Sequence, residues 1–221
     1  MALSEPDAEA GLLQRLREGN EEAFGALVDL YHGAMIRFAR GFVRDQAVAE
    51  EVAQDAWLGV LNGLADFAGR SSLKSWIFAI VANKAKTRAG KEARSIPFSA
   101  MAAREVSGTE FAVDPGRFLG PDAEWPGHWA HPPQSWGDRP EERLLGQEMM
   151  QKLTRILEGL PPAQRMVITL RDVEGHDAKS VCNILGVTET NMRVLLHRAR
   201  SRVRGQLERS LADASERPGL H

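Results

Sequence analysis

The chemistry most readily read from this chain lies in the stretch NMRVLLHRARSRVR, Asn191 to Arg204. A guanidinium carries a rigid fork of donors that matches a phosphate or the O6/N7 edge of guanine. Laid on a helical wheel at about 100° per residue, the stretch sorts itself. Met192, Leu195, Leu196, Ala199 and Val203 make an apolar stripe. Arg193, Arg200 and Arg204 lie on one flank, and Asn191, Arg198 and Arg202 on the other. Val194, His197 and Ser201 point away from the stripe. No acid occurs from Thr190 to Gln206, whereas a solvated surface helix would mix in acids for i,i+4 pairing. The pattern predicts a helix whose front meets base edges and whose flanks meet phosphates. Val194 suits a thymine methyl group, and Arg193 or Arg198 suits guanine.

Such a helix needs a partner to aim it. Upstream, Asp177 is placed to cap a short helix whose apolar face is Val181, Cys182 and Leu185. Gly186 is placed to end it by taking a positive φ. Val187 would fill the corner, and Thr188 or Thr190 would cap the next helix. Helix, glycine turn, helix is the helix-turn-helix pattern. Cys182 fits as a small packing residue.

A second constellation lies in the N-terminal half. From Asp45 to Asp66 the charged residues are Asp45, Glu50, Glu51, Asp55 and Asp66, all acidic. From Phe67 to Arg94 they are Arg70, Lys74, Lys84, Lys86, Arg88, Lys91 and Arg94, with Glu92 alone acidic. An acidic face suits a basic protein partner and a basic face suits phosphate; the bland alternative is two solvated faces. Glu51, Gln54 and Asp55 stand beside Trp57, Leu58 and Leu61, which is interface composition if Trp57 is exposed and core composition if it is buried. Phe67 and Trp76 bracket the donor-rich Gly69–Ser72 turn, where a serine can cap the following helix. Rings beside cations suit single-stranded DNA, with bases stacking while the cations hold the backbone. Asn83 lies further along and offers an amide to a base edge.

These elements sit in a chain of 221 residues with formal net charge -2 and a single cysteine. That length gives one or two domains with a real core, and one cysteine excludes a disulfide framework and fits a reducing cytoplasm. The first residues, MALSEPDAEA, lack a signal peptide's basic start and apolar run, and no uncharged apolar run is long enough to insert into a membrane. Phe24, Leu27, Val28, Tyr31, Met35, Phe38 and Phe42 recur at three- and four-residue steps, a core-facing helical stripe. Seven of the eleven prolines and three tryptophans fall between Ser95 and Pro140. The expected fold is therefore all-α: two helical domains, 10–94 and 141–212, joined by a long, extended, proline-rich linker over 95–140. No nucleophile–base set, phosphate loop or H-E-x-x-H motif appears, so no catalytic residue, cofactor or small-molecule substrate is expected. His128 and His131 have i,i+3 spacing but no cysteine nearby and no second paired site, so no metal site is expected either.

The ordered set resembles the sigma-70 class of bacterial RNA polymerase sigma factors, in its two-domain extracytoplasmic-function group. AEEVAQDAWL (Ala49–Leu58), SLKSWIFAIVANKAK (Ser72–Lys86), LPPAQRMVITLRDVEG (Leu160–Gly175) and LGVTETNMRVLLHRARSRVR (Leu185–Arg204) carry the resemblance. It implies that Glu51, Gln54, Asp55, Trp57 and Leu61 dock on core RNA polymerase. It implies that Phe67, Arg70, Ser71 and Ser72 hold an unstacked base of the downstream promoter element. Lys74, Trp76, Asn83, Lys84, Lys86 and Arg88 would contact the opening strand. Arg193, His197 and Arg198 would read the upstream promoter element, with Thr190 and Asn191 near phosphates and Val194 and Arg200 on the same surface. The family often has Ser then Arg where this chain has Val194 and Leu195. The resemblance further implies an anti-sigma partner, and it accounts for the near-neutral charge: a factor carried to DNA by polymerase needs no tight binding of its own. A stand-alone helix-turn-helix regulator shares the C-terminal pattern but gives the acidic helix no task.

Overall fold

The structure is a computed structural model that describes residues 5–43, 45–91, 98–107 and 142–215. Those residues are all helical or connecting, with no strand among them. The order is α1 (Glu5–Arg17), α2 (Glu21–Ala39), α3 (Gln46–Gly63), α4 (Leu73–Lys91), α5 (Phe98–Ser107), α6 (Glu142–Glu158), α7 (Pro162–Ile168), a π-helical turn (Thr169–Val173), α8 (Ala178–Leu185) and α9 (Glu189–Ser215).

Local chemistry sets the helix starts. The Asn20 side chain accepts from the Ala23 amide at 2.8 Å and caps α2. Asp45 caps α3 through the Ala47 amide. Ser72 Oγ accepts from Ser75 N, so the serine expected to cap α4 does so, while a Glu9 carboxylate from α1 takes the Leu73 amide. Each satisfies an amide that has no partner inside its own helix.

The N-terminal bundle closes through small residues. Ala49, Ala53 and Ala56 of α3 are buried, as are Ala82, Ala85 and Ala89 of α4. Alanine faces let two helix axes approach, and glycine extends the approach: a Cβ on Gly59 would stand 3.0 Å from Ile80 Cγ2. The stripe read from the sequence is where it was expected. Leu27, Met35 and Phe38 are buried, and Phe24, Val28, Tyr31 and Phe42 pack partly buried against the core.

One expectation needs correction. The segment 95–140 was expected to be extended, yet α5 occupies Phe98–Ser107 inside it. The reason is compositional: the prolines bracket FSAMAAREVS without entering it, and no glycine interrupts it. The rest of that segment, with Trp125–Trp136, His128 and His131, lies outside the described residues. The buried side chains of the two halves form one continuous cluster. Gly41, at the end of α2, lies so near the C-terminal half that a Cβ there would come within 2.7 Å of Met166 Cγ.

Helix α5 bridges the halves. Its Phe98 ring lies 6.2 Å from Phe42 of the N-terminal bundle. At its other end, the Glu105 carboxylate accepts from Ala163 N at 2.9 Å and Gln164 N at 3.1 Å. Helix α7 begins with prolines and has no cap of its own, so Glu105 supplies one from across the chain. Glu105→Ala should therefore lower stability by about 1–2 kcal/mol, read as a shifted chemical-denaturation midpoint at unchanged slope. An unchanged midpoint would remove the capping role.

Candidate functional site

The C-terminal half builds its reading helix much as the sequence suggests. Asp177 caps α8 by accepting from Ser180 N at 2.8 Å, and Gly186 ends it at φ 72°, a left-handed conformation that costs glycine little. Thr188 Oγ1 accepts from Asn191 N and so starts α9. Met192, Leu195, Leu196 and Ala199 are buried, so the apolar stripe is real. Cys182 is half-buried, and burial raises its thiol pKa. That is the protonated thiol of a packing residue.

The polar faces of α9 are less open than the wheel suggests. Thr190, Arg193, His197 and Arg200 are exposed, while Asn191, Val194 and Arg198 are half-buried. Acids outside the acid-free run reach in. Glu189 pairs with Arg193. Asp172 holds Arg200 in a two-pronged bond, Nε to Oδ2 at 2.8 Å and Nη2 to Oδ1 at 2.6 Å, which raises the arginine pKa. Arg198 donates through Nη1 to the Glu105 carbonyl of α5.

In the N-terminal half, Glu51, Gln54 and Asp55 are exposed along α3, beside the exposed side chains of Leu58 and Leu61. Trp57 is not part of that surface. It is 8% exposed, meets Phe24 edge-on with ring centroids 5.5 Å apart, and donates from Nε1 to His32 Nδ1 at 3.2 Å. The indole therefore sits beneath the acidic face as its support. Arg88 of α4 pairs with Glu51 of α3 at 2.8 Å, so the acidic and basic faces meet along one edge.

The Gly69–Ser72 turn is presented as expected, with Arg70, Ser71 and Ser72 exposed and Gly69 at φ 65°. The two rings beside it pack against each other at a tilt instead of standing open. Phe67 is buried with its centroid 4.9 Å from that of Trp76, and Trp76 is partly buried, its ring against Gly63. Asn83, Lys84 and Arg88 are exposed on α4.

Lys74 and Lys86 are turned to a different task. Both face the C-terminal half. The Lys74 ammonium lies 3.3 Å from a Glu174 carboxylate oxygen, donates to the Glu174 carbonyl, and stands 5.7 Å over the Tyr31 ring. Arg37 of α2 approaches the same carboxylate at 3.6 Å. The Lys86 ammonium donates to the carbonyls of Ile184 and Leu185, the last turn of α8, at 3.0 and 3.3 Å. Those carbonyls lack helical partners, and a cation is favoured there. Burial lowers the Lys86 pKa.

Between the lysines sits His176, 3% exposed. Its Nδ1 is 3.0 Å from Ser75 Oγ, and its ring meets Phe78 edge-on at 4.9 Å. Gly175, at φ 73°, turns the chain between Glu174 and His176. These partners were not read from the sequence. Residues 74 and 174 are a hundred positions apart, and no local spacing couples them.

Two family models match the chain: sigma-70 region 2 over residues 27–95 and sigma-70 region 4 over residues 150–203. Among curated relatives, the RNA polymerase sigma-H factor of Pseudomonas aeruginosa is 26% identical over 203 residues, 92% of this chain and 95% of that one. The extracytoplasmic-function RNA polymerase sigma-E factor of Escherichia coli K12 is 26% identical over 206 residues, 93% of this chain and 97% of that one. Two solved structures share the fold. CnrH, in complex with the cytosolic domain of CnrY, gives a TM-score of 0.51 at 20% identity, covering 92% of this chain and 99% of that one. The sigma factor RpoE of Bartonella quintana, in complex with the anti-sigma factor NepR, gives 0.50 at 22% identity, covering 84% and 96%.

Burial first, and the Lys74 ammonium second, push the His176 imidazole down from 6.5 to about 4, with Asp177 opposing them. A depressed histidine binds fewer protons folded than unfolded, so its stabilisation is complete above pH 6.5 and is lost as the pH falls toward 4. Wild type should therefore lose stability against a His176→Asn variant across that window, by up to about 3 kcal/mol. Denaturant midpoints of the two proteins measured from pH 7 to pH 4 check this; parallel curves would contradict it.

Proposed function

The chain belongs to the extracytoplasmic-function group of the sigma-70 class, and from that premise we propose which of its surfaces performs each step at a promoter. It is a sigma factor: it binds core RNA polymerase and directs promoter recognition and melting when transcription starts. We assign it no catalytic step of its own. Its place of action is the cytoplasm, where polymerase and chromosome are. An anti-sigma factor is the expected inhibitory partner, as NepR is for the Bartonella relative. The working units are residues 10–94 for polymerase binding and melting and 141–212 for upstream recognition.

The observation that carries the polymerase assignment is the outer face of α3. Glu51, Gln54 and Asp55 are exposed together with Leu58, 59% exposed, and Leu61, 50% exposed. Large apolar side chains set among acids on a surface suit a partner that brings cations and an apolar groove. Trp57 contributes by holding the helix in place from behind.

Strand opening falls to the Arg70–Ser72 turn and α4. Arg70, Ser71 and Ser72 supply donors to an unstacked base, and Asn83, Lys84 and Arg88 lie along the exposed side of α4 for the backbone. Lys74 and Lys86 belong to the same set once they leave their partners in the other half. Phe67 and Trp76 shape the floor of this surface. Upstream recognition falls to α9, with Arg193, His197 and Arg198 toward base edges, Thr190 and Asn191 toward phosphate, and Val194 and Arg200 on the same surface.

The first test is transcription by core polymerase with and without the chain on a library of genomic fragments. Discrete start sites that appear only when the chain is added are the expected result. Tight operator binding without any affinity for polymerase would instead identify a stand-alone regulator. The second test separates surface from core on α3. Asp55→Lys should weaken binding to core polymerase at least tenfold while leaving stability within about 0.5 kcal/mol, as an exposed substitution should. Trp57→Ala should unfold the protein more easily by about 3–5 kcal/mol. Full polymerase affinity in Asp55→Lys would remove α3 from the docking role.

A further inference from the structure

Helix α1 belongs to none of the recognition surfaces, and it is lightly seated. Among its described side chains Leu16 alone is buried, with Leu12 and Leu13 packed partly buried on the core. Two of its charged side chains nevertheless reach away to the same turn. Arg17 Nη2 donates to the Phe67 carbonyl at 2.6 Å. A Glu9 carboxylate oxygen accepts from the Leu73 amide. Phe67 and Leu73 are both buried, and every residue between them, Ala68 to Ser72, is exposed. The two bonds therefore fall on the two feet of the turn that presents Arg70, Ser71 and Ser72.

The spacing suits a brace. Glu9 and Arg17 stand a little over two turns apart on α1, roughly 12 Å along its axis, so one helix spans both feet. Each bond carries a full charge on one partner, which makes it the stronger kind. Phe67 closes the turn from beneath against Trp76, with ring centroids 4.9 Å apart. Within those ties the turn has only local chemistry: Gly69 at φ 65° and a bond from Ser71 Oγ to the Ser72 carbonyl. A loop free at its feet re-packs around several partners, as promiscuous loop-rich surfaces do. A loop held at both feet keeps its donors in one arrangement, so a base that does not match leaves them unpaired.

We infer that α1 braces this turn, with Arg17 and Glu9 as positioning residues that set how sharply the turn discriminates between bases. The inference rests on the reading of Arg70–Ser72 as the holder of an unstacked base. Neither Arg17 nor Glu9 touches DNA in this role. Each acts through a backbone group at a foot of the turn. Loss of either therefore blurs selection at the one position the turn holds and leaves the other promoter contacts as they were. A role in folding alone would instead lower transcription from every promoter alike.

The test uses the full chain with core polymerase on a promoter recovered from the genomic fragments. Each base of the downstream element is replaced in turn, and transcript is measured. The position held by the turn is the one whose base preference falls in Arg70→Ala or Ser71→Ala. At that position the ratio of best to worst base should fall about tenfold in both Arg17→Ala and Glu9→Ala, the scale of one lost base readout. Base preferences at the upstream element should stay within about twofold, as for surface substitutions elsewhere. Arg17→Lys keeps a donor for the carbonyl and Glu9→Gln keeps an acceptor for the amide, so both should retain most of the preference. Glu18→Ala removes the same charge from the exposed Gln14 pair at the end of α1 and should match wild type. An undiminished ratio in the two alanine variants would overturn the inference. So would an equal loss at every promoter position, or a loss in the conservative variants as large as in the alanines. An alanine variant that does not fold would overturn it too, by making the tie a matter of the fold. If no position depends on Arg70 or Ser71 in an otherwise active protein, the reading of the turn itself fails.

Discussion

Glu174 is the point on which the arrangement turns. Its side chain is largely withdrawn from water, with Lys74 at 3.3 Å and Arg37 at 3.6 Å. A carboxylate so placed must keep cations close, because an unpaired buried charge costs several kcal/mol. The two cations come from α4 and α2, the carboxylate from the other half of the chain. This charge cluster therefore joins the shared core and the bridging helix in holding the C-terminal half on the N-terminal bundle. The turn at Gly175 then brings His176 onto Ser75 and Phe78, and the end of α8 follows onto Lys86.

Magnitude separates the two kinds of ion pair in this molecule. Arg88–Glu51, Arg193–Glu189 and Arg200–Asp172 are all substantially exposed. Exposed pairs contribute roughly 0–1 kcal/mol each. A phosphate can displace such an acid at little cost, so these pairs tune the recognition surfaces without closing them. The Glu174 cluster is different, because its carboxylate is only 9% exposed and would be left unpaired out of water if Lys74 and Arg37 were removed. The near-neutral net charge follows from the same design. The basic surfaces are matched by acids within reach, as at Arg88–Glu51 and Arg200–Asp172.

What the sequence made legible was local. Asp177, Gly186 and Thr188 do their capping within three or four residues, so spacing alone located them. The stripe of α9 was equally plain, since periodicity reports which side of a helix is buried. Periodicity does not report what covers the other side. Trp57 sits beside exposed acids in sequence but one helical step round from them, and only His32 and Phe24 of a neighbouring helix decide its burial. The same holds for Phe67 and Trp76, which satisfy each other. Helix α5 was hidden by its proline-rich surroundings. The pairing of position 74 with position 174 is a property of the fold, and one chain read by itself carries no trace of it.

The bridging helix gives the recognition surface a dependence that the wheel could not show. Glu105 does two things at once: its carboxylate caps α7, and its carbonyl takes Arg198 from α9. Capping is a matter of stability within the C-terminal half and holds whether or not DNA is present. The Arg198 contact is of another kind: it ties a half-buried guanidinium of α9 to the bridging helix. The cap of α7 and the seating of α9 thus depend on one residue of α5. The exposed face of α9 is therefore placed partly by α5, whereas Lys74 and Lys86 are tied to the C-terminal half directly, through Glu174 and the last carbonyls of α8.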